Sequence, residues 1–339
     1  MKKILLLSML ALVSYSCKST QNPADDKDPV VYAESITAAD LSDYLNVLAS
    51  DEFEGRETGT PGQKKAAEFL KNFYSSLNIK GGDIRDNSPY FQSIPSSFYN
   101  DRFGDSENVI AIIEGEEIPD EYIVISAHYD HLGVRNGKIY NGADDDGSGT
   151  VAVMEIAEAF KKAALKGHRP KRSIIFLHFT GEEKGLLGSK YYTENPIYAL
   201  DKTIANLNID MIGRRDDAHK NNPDYVYLIG SDRLSSELHQ ISEDANTTYT
   251  NLDLDYKYNA EDDPNRFYYR SDHYNFAKFD IPVIFYFNGV HADYHMPTDT
   301  VDKIEYDILE KRTKLVFYTA WELVNRKEKP FVDKPTIEE

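Results

Sequence analysis

From residue 108 onward, short and almost wholly apolar runs alternate with amphipathic stretches, and this alternation restricts the chain to a layered α/β architecture. The runs Asn108-Val109-Ile110-Ala111-Ile112-Ile113 and Tyr122-Ile123-Val124-Ile125-Ser126-Ala127 lack the polar alternation of a strand with one wet face. They read as strands buried on both faces. Residues 173–177, 204–209, 225–229 and 281–287 read as further strands. Between them, 150–165 gathers Val151, Met154, Ile156 and Ala157 on one side of a helix, and 186–192 forms a shorter one. The pattern predicts a three-layer α/β/α sandwich around a mixed, mostly parallel sheet. Upstream, Leu41, Tyr44, Leu45 and Leu48 predict a helix over 38–49. Thr60-Pro61-Gly62-Gln63 predicts another: Thr60 caps it, Pro61 suits its first position, and Gln63 reaches back to complete a capping box. The stretch 251–266, rich in Asp, Asn and Tyr, reads as a long loop. No repeat or break in composition divides 36–330, which is expected to form one domain followed by a tail at 331–339.

The N-terminus reads as an address. Lys2 and Lys3 precede the apolar run 4–13, which is too short to span a bilayer. Cys17 follows in Ser14-Tyr15-Ser16-Cys17, which resembles a lipoprotein signal, although Ser14 stands where leucine is usual. Residues 1–17 are therefore expected to be a signal with a lipidated Cys17, and 18–35 a polar tether. The expected location is extracytoplasmic: an envelope lipoprotein touching the membrane only through its lipid, or a secreted protein. Cys17 is the sole cysteine, so no thiolate is available beyond it for metal or nucleophilic chemistry. A net charge of −19 argues against nucleic acid as a partner, because phosphate binding needs a basic footprint.

The polar residues are concentrated where the apolar runs end. Residues 123–127 lead into His128-Tyr129-Asp130-His131, 174–179 into Thr180-Gly181-Glu182-Glu183, and 204–209 into Asp210. The run 281–287 leads through a turn to His295, and Asn141-Gly142-Ala143-Asp144-Asp145-Asp146-Gly147-Ser148-Gly149 opens a helix. Taken singly, each has a plainer explanation. Aspartates suit a helix N-terminus, paired glutamates suit a charged helix start, and a lone histidine suits a satisfied polar position. A calcium loop lacks its spaced ligands and closing glutamate. Together, at the carboxyl ends of strands where open α/β sheets bind ligands, they form an N/O donor set suited to zinc and to metal-assisted hydrolysis.

The ordered motifs His-x-Asp, Gly-Ala-Asp-Asp-Asp-Gly-Ser-Gly, Thr-Gly-Glu-Glu-x-Gly-Leu-Leu-Gly-Ser, Asn-x-Asp-Met-Ile-Gly, Ser-Asp-His and His-x-Pro-x-Asp-Thr resemble the M28 family of di-zinc aminopeptidases. Glu54-Gly55-Arg56-Glu57-Thr58-Gly59-Thr60-Pro61-Gly62 extends the resemblance upstream. It implies two zinc ions bridged by Asp145, one completed by His128 and Asp210 and the other by Glu183 and His295. It implies that Asp130 holds the His128 ring, that Asp272 has a similar supporting part, and that Glu182 is the general base. Tyr268 matches in position a tyrosine that stabilises the oxyanion in some relatives. The implied activity is removal of N-terminal residues from peptides. A carboxypeptidase of the same family would need a cationic pocket, for which Arg214, Arg215, Arg266 and Arg270 are candidates. A single-zinc glutaminyl cyclase-like transferase would keep the paired glutamates but not require the intact aspartate loop, and a non-catalytic binding lipoprotein would lack a ligand or the base. His131, His273 and His291 read as support near the cleft, His178 as packed within its strand, and His168, His219 and His239 as surface residues.

Overall fold

A computed structural model describes residues 28–334 except 84, 86 and 87, so the expected signal, Cys17 and residues 18–27 of the tether lie outside the described residues. The rest of the predicted tether is not a tether. Asp28 caps helix α1 (Pro29–Ala33), whose Tyr32 is buried and stacks on Trp321 at 5.6 Å. Ring burial outweighs the polar character of the flanking residues. Helices α2 (Ala38–Leu48) and α3 (Pro61–Ser76) follow, capped by Thr37 and Thr60. Gln63 takes the Gly59 N–H at 3.3 Å rather than that of Thr60, whose N–H bonds Glu57 O.

Strands β1 (Lys80–Gly81), β2 (Phe91–Ile94), β3 (Ser106–Ile113) and β4 (Ile118–His128) come next, then a hairpin of β5 (Gly133–Arg135) and β6 (Lys138–Tyr140). Helix α4 (Gly149–Leu165), β7 (Arg172–Phe179), α5 (Leu187–Glu194), β8 (Thr203–Ile209) and β9 (Tyr225–Ile229) continue the chain. It ends with α6 (Ser236–Ala245), β10 (Asp253–Asp255), α7 (His273–Ala277), β11 (Val283–Phe287) and α8 (Tyr306–Asn325). The main sheet runs β1-β3-β7-β4-β8-β11-β9-β10, with β2 also paired to β3.

Its centre, β7-β4-β8-β11, is parallel, while β3 meets β7 and β9 meets β11 antiparallel. The parallel centre brings the carboxyl ends of β4, β7, β8 and β11 to one edge, and that edge carries the site. Alternation along each strand explains the continuous apolar runs. Ile123, Ile125, Ile174 and Phe176 face the core under α2, α3, α4 and α8, whereas Val124, Ile175 and Leu177 face the core under α5 and α7. Phe160 of α4 stacks on Trp321 of α8 at 5.7 Å, and truncating a buried ring of this kind costs about 3–5 kcal/mol. The predicted long loop contains β10 and a short turn, Lys257–Asn259.

Candidate metal centre

His128 is the last residue of β4, and the backbone around it is fully engaged. Its N–H donates to Asp146 Oδ2 at 3.2 Å, and its carbonyl accepts from Thr150 Oγ1 at 2.7 Å. Ring Nδ1 lies 3.0 Å from the main-chain carbonyl of Asp130. A carbonyl can only accept, so Nδ1 carries a proton and Nε2 is the nitrogen left to bind a metal. That nitrogen lies 3.3 Å from Asp145 Oδ1 and 3.7 Å from Asp210 Oδ1. The expected grip of the Asp130 carboxylate on the ring is therefore replaced by the Asp130 carbonyl. The carboxylate, 3.7 Å from Nδ1, instead accepts Glu182 N–H at 3.1 Å and Thr58 Oγ1 at 2.8 Å. The reversal of the chain after β4 turns that side chain toward the neighbouring strand end.

The three consecutive aspartates separate by what they touch. Asp144 accepts from Gly213 N–H at 2.7 Å and Ser148 Oγ at 2.9 Å, with His291 Nε2 at 3.0 Å. Asp146 accepts the N–H groups of Met211, Gly149 and His128. Both are engaged in holding strand ends and the start of α4. Asp145 turns its two carboxylate oxygens toward different histidines, Oδ1 toward His128 and Oδ2 3.1 Å from His295 Nε2, while an Asp146 oxygen also comes within 4.8 Å of ligand atoms of His128 and Asp210. Asp299 clamps the loop by accepting the N–H groups of Asp144 and Asp145 at 3.0 and 3.1 Å. Gly142, at φ 53°, starts it; a Cβ there would stand 2.2 Å from Asp145 O.

After β7, Glu183 places Oε1 2.8 Å from His131 Nδ1 and Oε2 3.2 Å from His295 Nε2. Burial raises its pKa, but the two imidazoles outweigh this and pull it down to about 2. Glu182 is pushed well above the usual carboxylate range by burial, opposed by His128 and reinforced by Asp210, Glu183 and Asp272. Asp210, following β8, accepts Ser271 Oγ at 2.7 Å. Asp272 is buried, and that burial lifts its carboxyl to about 7.

Arg56 ties these loops together. Its guanidinium is wholly buried and donates to the carbonyls of Leu48, Tyr129, Asn141 and Gly142. Burial lowers its pKa to about 10, with Asp130 and Asp145 opposing that shift.

The structure does not bring Tyr268 to this centre. Phe267–Tyr269 is a 3₁₀ turn, in which successive side chains diverge by a third of a turn. Phe267 lines the cavity of Asp145, Glu182, Asp210 and His295, while Tyr268 lines a separate cavity of about 840 Å³, beneath the Arg233 guanidinium at 4.1 Å. His131, read from sequence as support near the cleft, lies against Glu183. Residues whose part was not read from sequence are Ser271, Asp299, Arg56 and Tyr294. The first three lie inside the quoted motifs, so their signal was proximity to them. Tyr294 stacks on His295 at 3.9 Å and carries no such mark beyond adjacency.

The donor set fits a metal. Asp145 Oδ2 and Glu183 Oε1 are buried and within ion-pair distance of imidazoles, yet neither accepts a hydrogen bond. Buried carboxylate oxygens with free lone pairs are destabilising unless a cation takes them. Ligand atoms of His131, Asp145 and Glu183 lie within 4.8 Å of one another, as do those of His128, Asp146 and Asp210. Nitrogen and carboxylate donors without thiolate suit zinc.

The family model described as Peptidase family M28 matches residues 108–320. A "Probable leucine aminopeptidase" of Arthroderma otae is 30% identical over 223 residues, which cover 64% of this chain and 57% of that protein. A "Probable glutamate carboxypeptidase LAMP1" of Arabidopsis thaliana is 40% identical over 105 residues, 31% of this chain and 14% of that protein. The chain thus spans little more than half of one of these relatives and a small part of the other. The crystal structure of the LapA aminopeptidase of Legionella pneumophila superposes with a TM-score of 0.70 at 23% identity, covering 95% of this chain and 80% of that one, and shows the shared fold.

Proposed function

Because the chain belongs to peptidase family M28, we propose that it is a zinc-dependent aminopeptidase that hydrolyses N-terminal residues from peptides. The observation that carries this reading is the Asp145 carboxylate, whose two oxygens face different imidazoles, with Glu182 beside them. Asp145 would lie between two zinc ions, His128 and Asp210 holding one, Glu183 and His295 the other. Zinc in such a site polarises the scissile carbonyl and lowers the pKa of water. Glu182 takes the proton of the attacking water and returns it to the departing amine. The amide contact from Glu182 to Asp130 fixes the main chain of the base. His131, against Glu183, orients that carboxylate.

Aminoacyl-nitroanilides and their N-acetylated forms, assayed with added zinc and after chelation, test the reading. Free amines should be cleaved, blocked ones should not, and Glu182→Gln should lower turnover at least ~10²–10⁴-fold. Elemental analysis of that variant should still find about two zinc ions per chain, as bridged sites require. Near-normal turnover by Glu182→Gln would remove the mechanism, and cleavage confined to peptides with a free C-terminus would favour a carboxypeptidase. Lys2, Lys3, the apolar run after them and Cys17 support export and lipid anchoring at the cell envelope, for which substitution of Cys17 and loss of membrane association is the check.

A further inference from the structure

Of the four arginines that could face a substrate carboxylate, Arg270 alone lines the cavity of Asp145, Glu182, Asp210 and His295. Arg214 pairs with Asp293 at 3.1 Å and Arg215 with Glu305 at 2.8 Å, both away from that cavity. Arg266 lies over the Tyr269 ring at 4.6 Å. Arg270 is exposed but not loose. Its guanidinium lies 4.8 Å from the Phe267 ring centroid, and one terminal nitrogen donates to the Tyr294 hydroxyl at 3.3 Å. Tyr294 is itself stacked on His295. The cation is thereby fixed in relation to a residue of the centre by two consecutive contacts.

Its surroundings leave its remaining donors open. A guanidinium has five N–H groups in a planar fork, matched to a carboxylate. Among the described residues the Arg270 guanidinium makes that one hydrogen bond and no ion pair, although the chain carries a net charge of −19. The cavity has an apolar side of Phe267, Phe285, Phe287 and Val290 and an acidic side of Asp145, Glu182 and Asp210, and none of these carboxylates is paired with Arg270 among the described residues.

We propose that Arg270, positioned by Phe267 and Tyr294, is a specificity residue that binds a substrate carboxylate next to the scissile bond. The preferred substrates are then peptides with N-terminal glutamate or aspartate, or dipeptides whose free carboxylate falls at the same place. This deepens the peptidase reading and rests on it for turnover.

The test uses the zinc-loaded full chain and isosteric pairs: glutamyl- against glutaminyl-nitroanilide, and Ala-Ala against Ala-Ala-amide. The wild type should favour the carboxylate member of at least one pair by about tenfold or more in kcat/KM, as a charge-assisted hydrogen bond at a partly open site provides. Which pair responds identifies the source of the carboxylate. Arg270→Met should bring that ratio close to one, and Arg270→Lys should keep only part of it, since an ammonium lacks the planar fork. The readout is a ratio, so a general loss of zinc or of activity cancels. Ratios near one for both pairs in the wild type, or a ratio that survives Arg270→Met, would overturn the proposal. If no peptide is cleaved at all, the peptidase reading fails, and calorimetric titration with free glutamate and glutamine decides the carboxylate contact separately. Tighter binding of glutamate, abolished by Arg270→Met, supports it; equal affinities or no binding overturns it.

Discussion

Glu182 and Glu183 are adjacent in the chain, yet their surroundings differ in sign. Glu183 sits between His131 and His295, while Glu182 faces Asp210 and Asp272 as well as His128. Such a divergence in pKa is how two like carboxyls acquire separate roles. The histidines divide as well. His178 is wholly buried in β7, its Nε2 2.6 Å from the Tyr74 hydroxyl, and burial drops its pKa to about 3 from 6.5. The fold therefore holds it neutral. Above pH 6.5 it is neutral in both states and the fold loses nothing; between pH 6.5 and about 3 only the unfolded chain takes up the proton, and stability falls with falling pH. The full effect is on the order of 4–5 kcal/mol. His178→Gln should accordingly flatten the acid limb of stability, measured as urea midpoints at pH 7 and pH 4.5 in chelator-treated protein. An unchanged slope would mean that another group carries it.

The elements set the centre through close approaches at the strand ends. Asn108 of β3 accepts Thr180 N–H and donates to Gly188 O, joining the end of β7 to α5. Gly188 lies so close that a Cβ would stand 2.0 Å from Thr180 O and 2.6 Å from Asn108 Oδ1. Gly188→Ala must push back the carbonyl that precedes Gly181, Glu182 and Glu183. We expect a loss of about 1–3 kcal/mol from overpacking, together with weaker zinc binding. Urea denaturation and a zinc titration of the same variant read both, and a variant unchanged in the two would show that the strand end is more compliant than its packing implies. At this scale much was legible: the apolar runs and helical spacings marked β3, β4, β7, β8, β9, β11 and α2 to α5 within a few residues. The short edge strands β1 and β2 and the helix α6 were not read, because their apolar residues are few and their pairing depends on β3 and α8 being in place. The same holds for α1, whose burial against Trp321 lies beyond any local window.

Across the whole molecule, the centre gathers buried carboxylates into one place in a chain already at −19. Their mutual repulsion and desolvation oppose folding unless a cation binds, so metal and stability are linked. Calorimetry with zinc at about a thousandfold its dissociation constant should gain about 4 kcal/mol over chelated protein, a rise in Tm of roughly 5–10 °C for a chain of this size. Equal Tm values with zinc and with chelator would contradict the metal centre. The sequence by itself determined the layered architecture and set histidines and carboxylates at the strand ends, because hydrophobic periodicity is local; the choice of His128, Asp145, Glu183, Asp210 and His295 among them came from the family resemblance. It could not say which face each side chain takes after the strand stops. Only the tertiary structure aimed the two Asp145 oxygens at different histidines, gave the His128 ring to the Asp130 carbonyl, and showed that His131 supports Glu183. It also placed Tyr268 in another cavity and Arg270 in this one. Those choices depend on backbone turns and on partners tens of residues away, and neither is written in local periodicity.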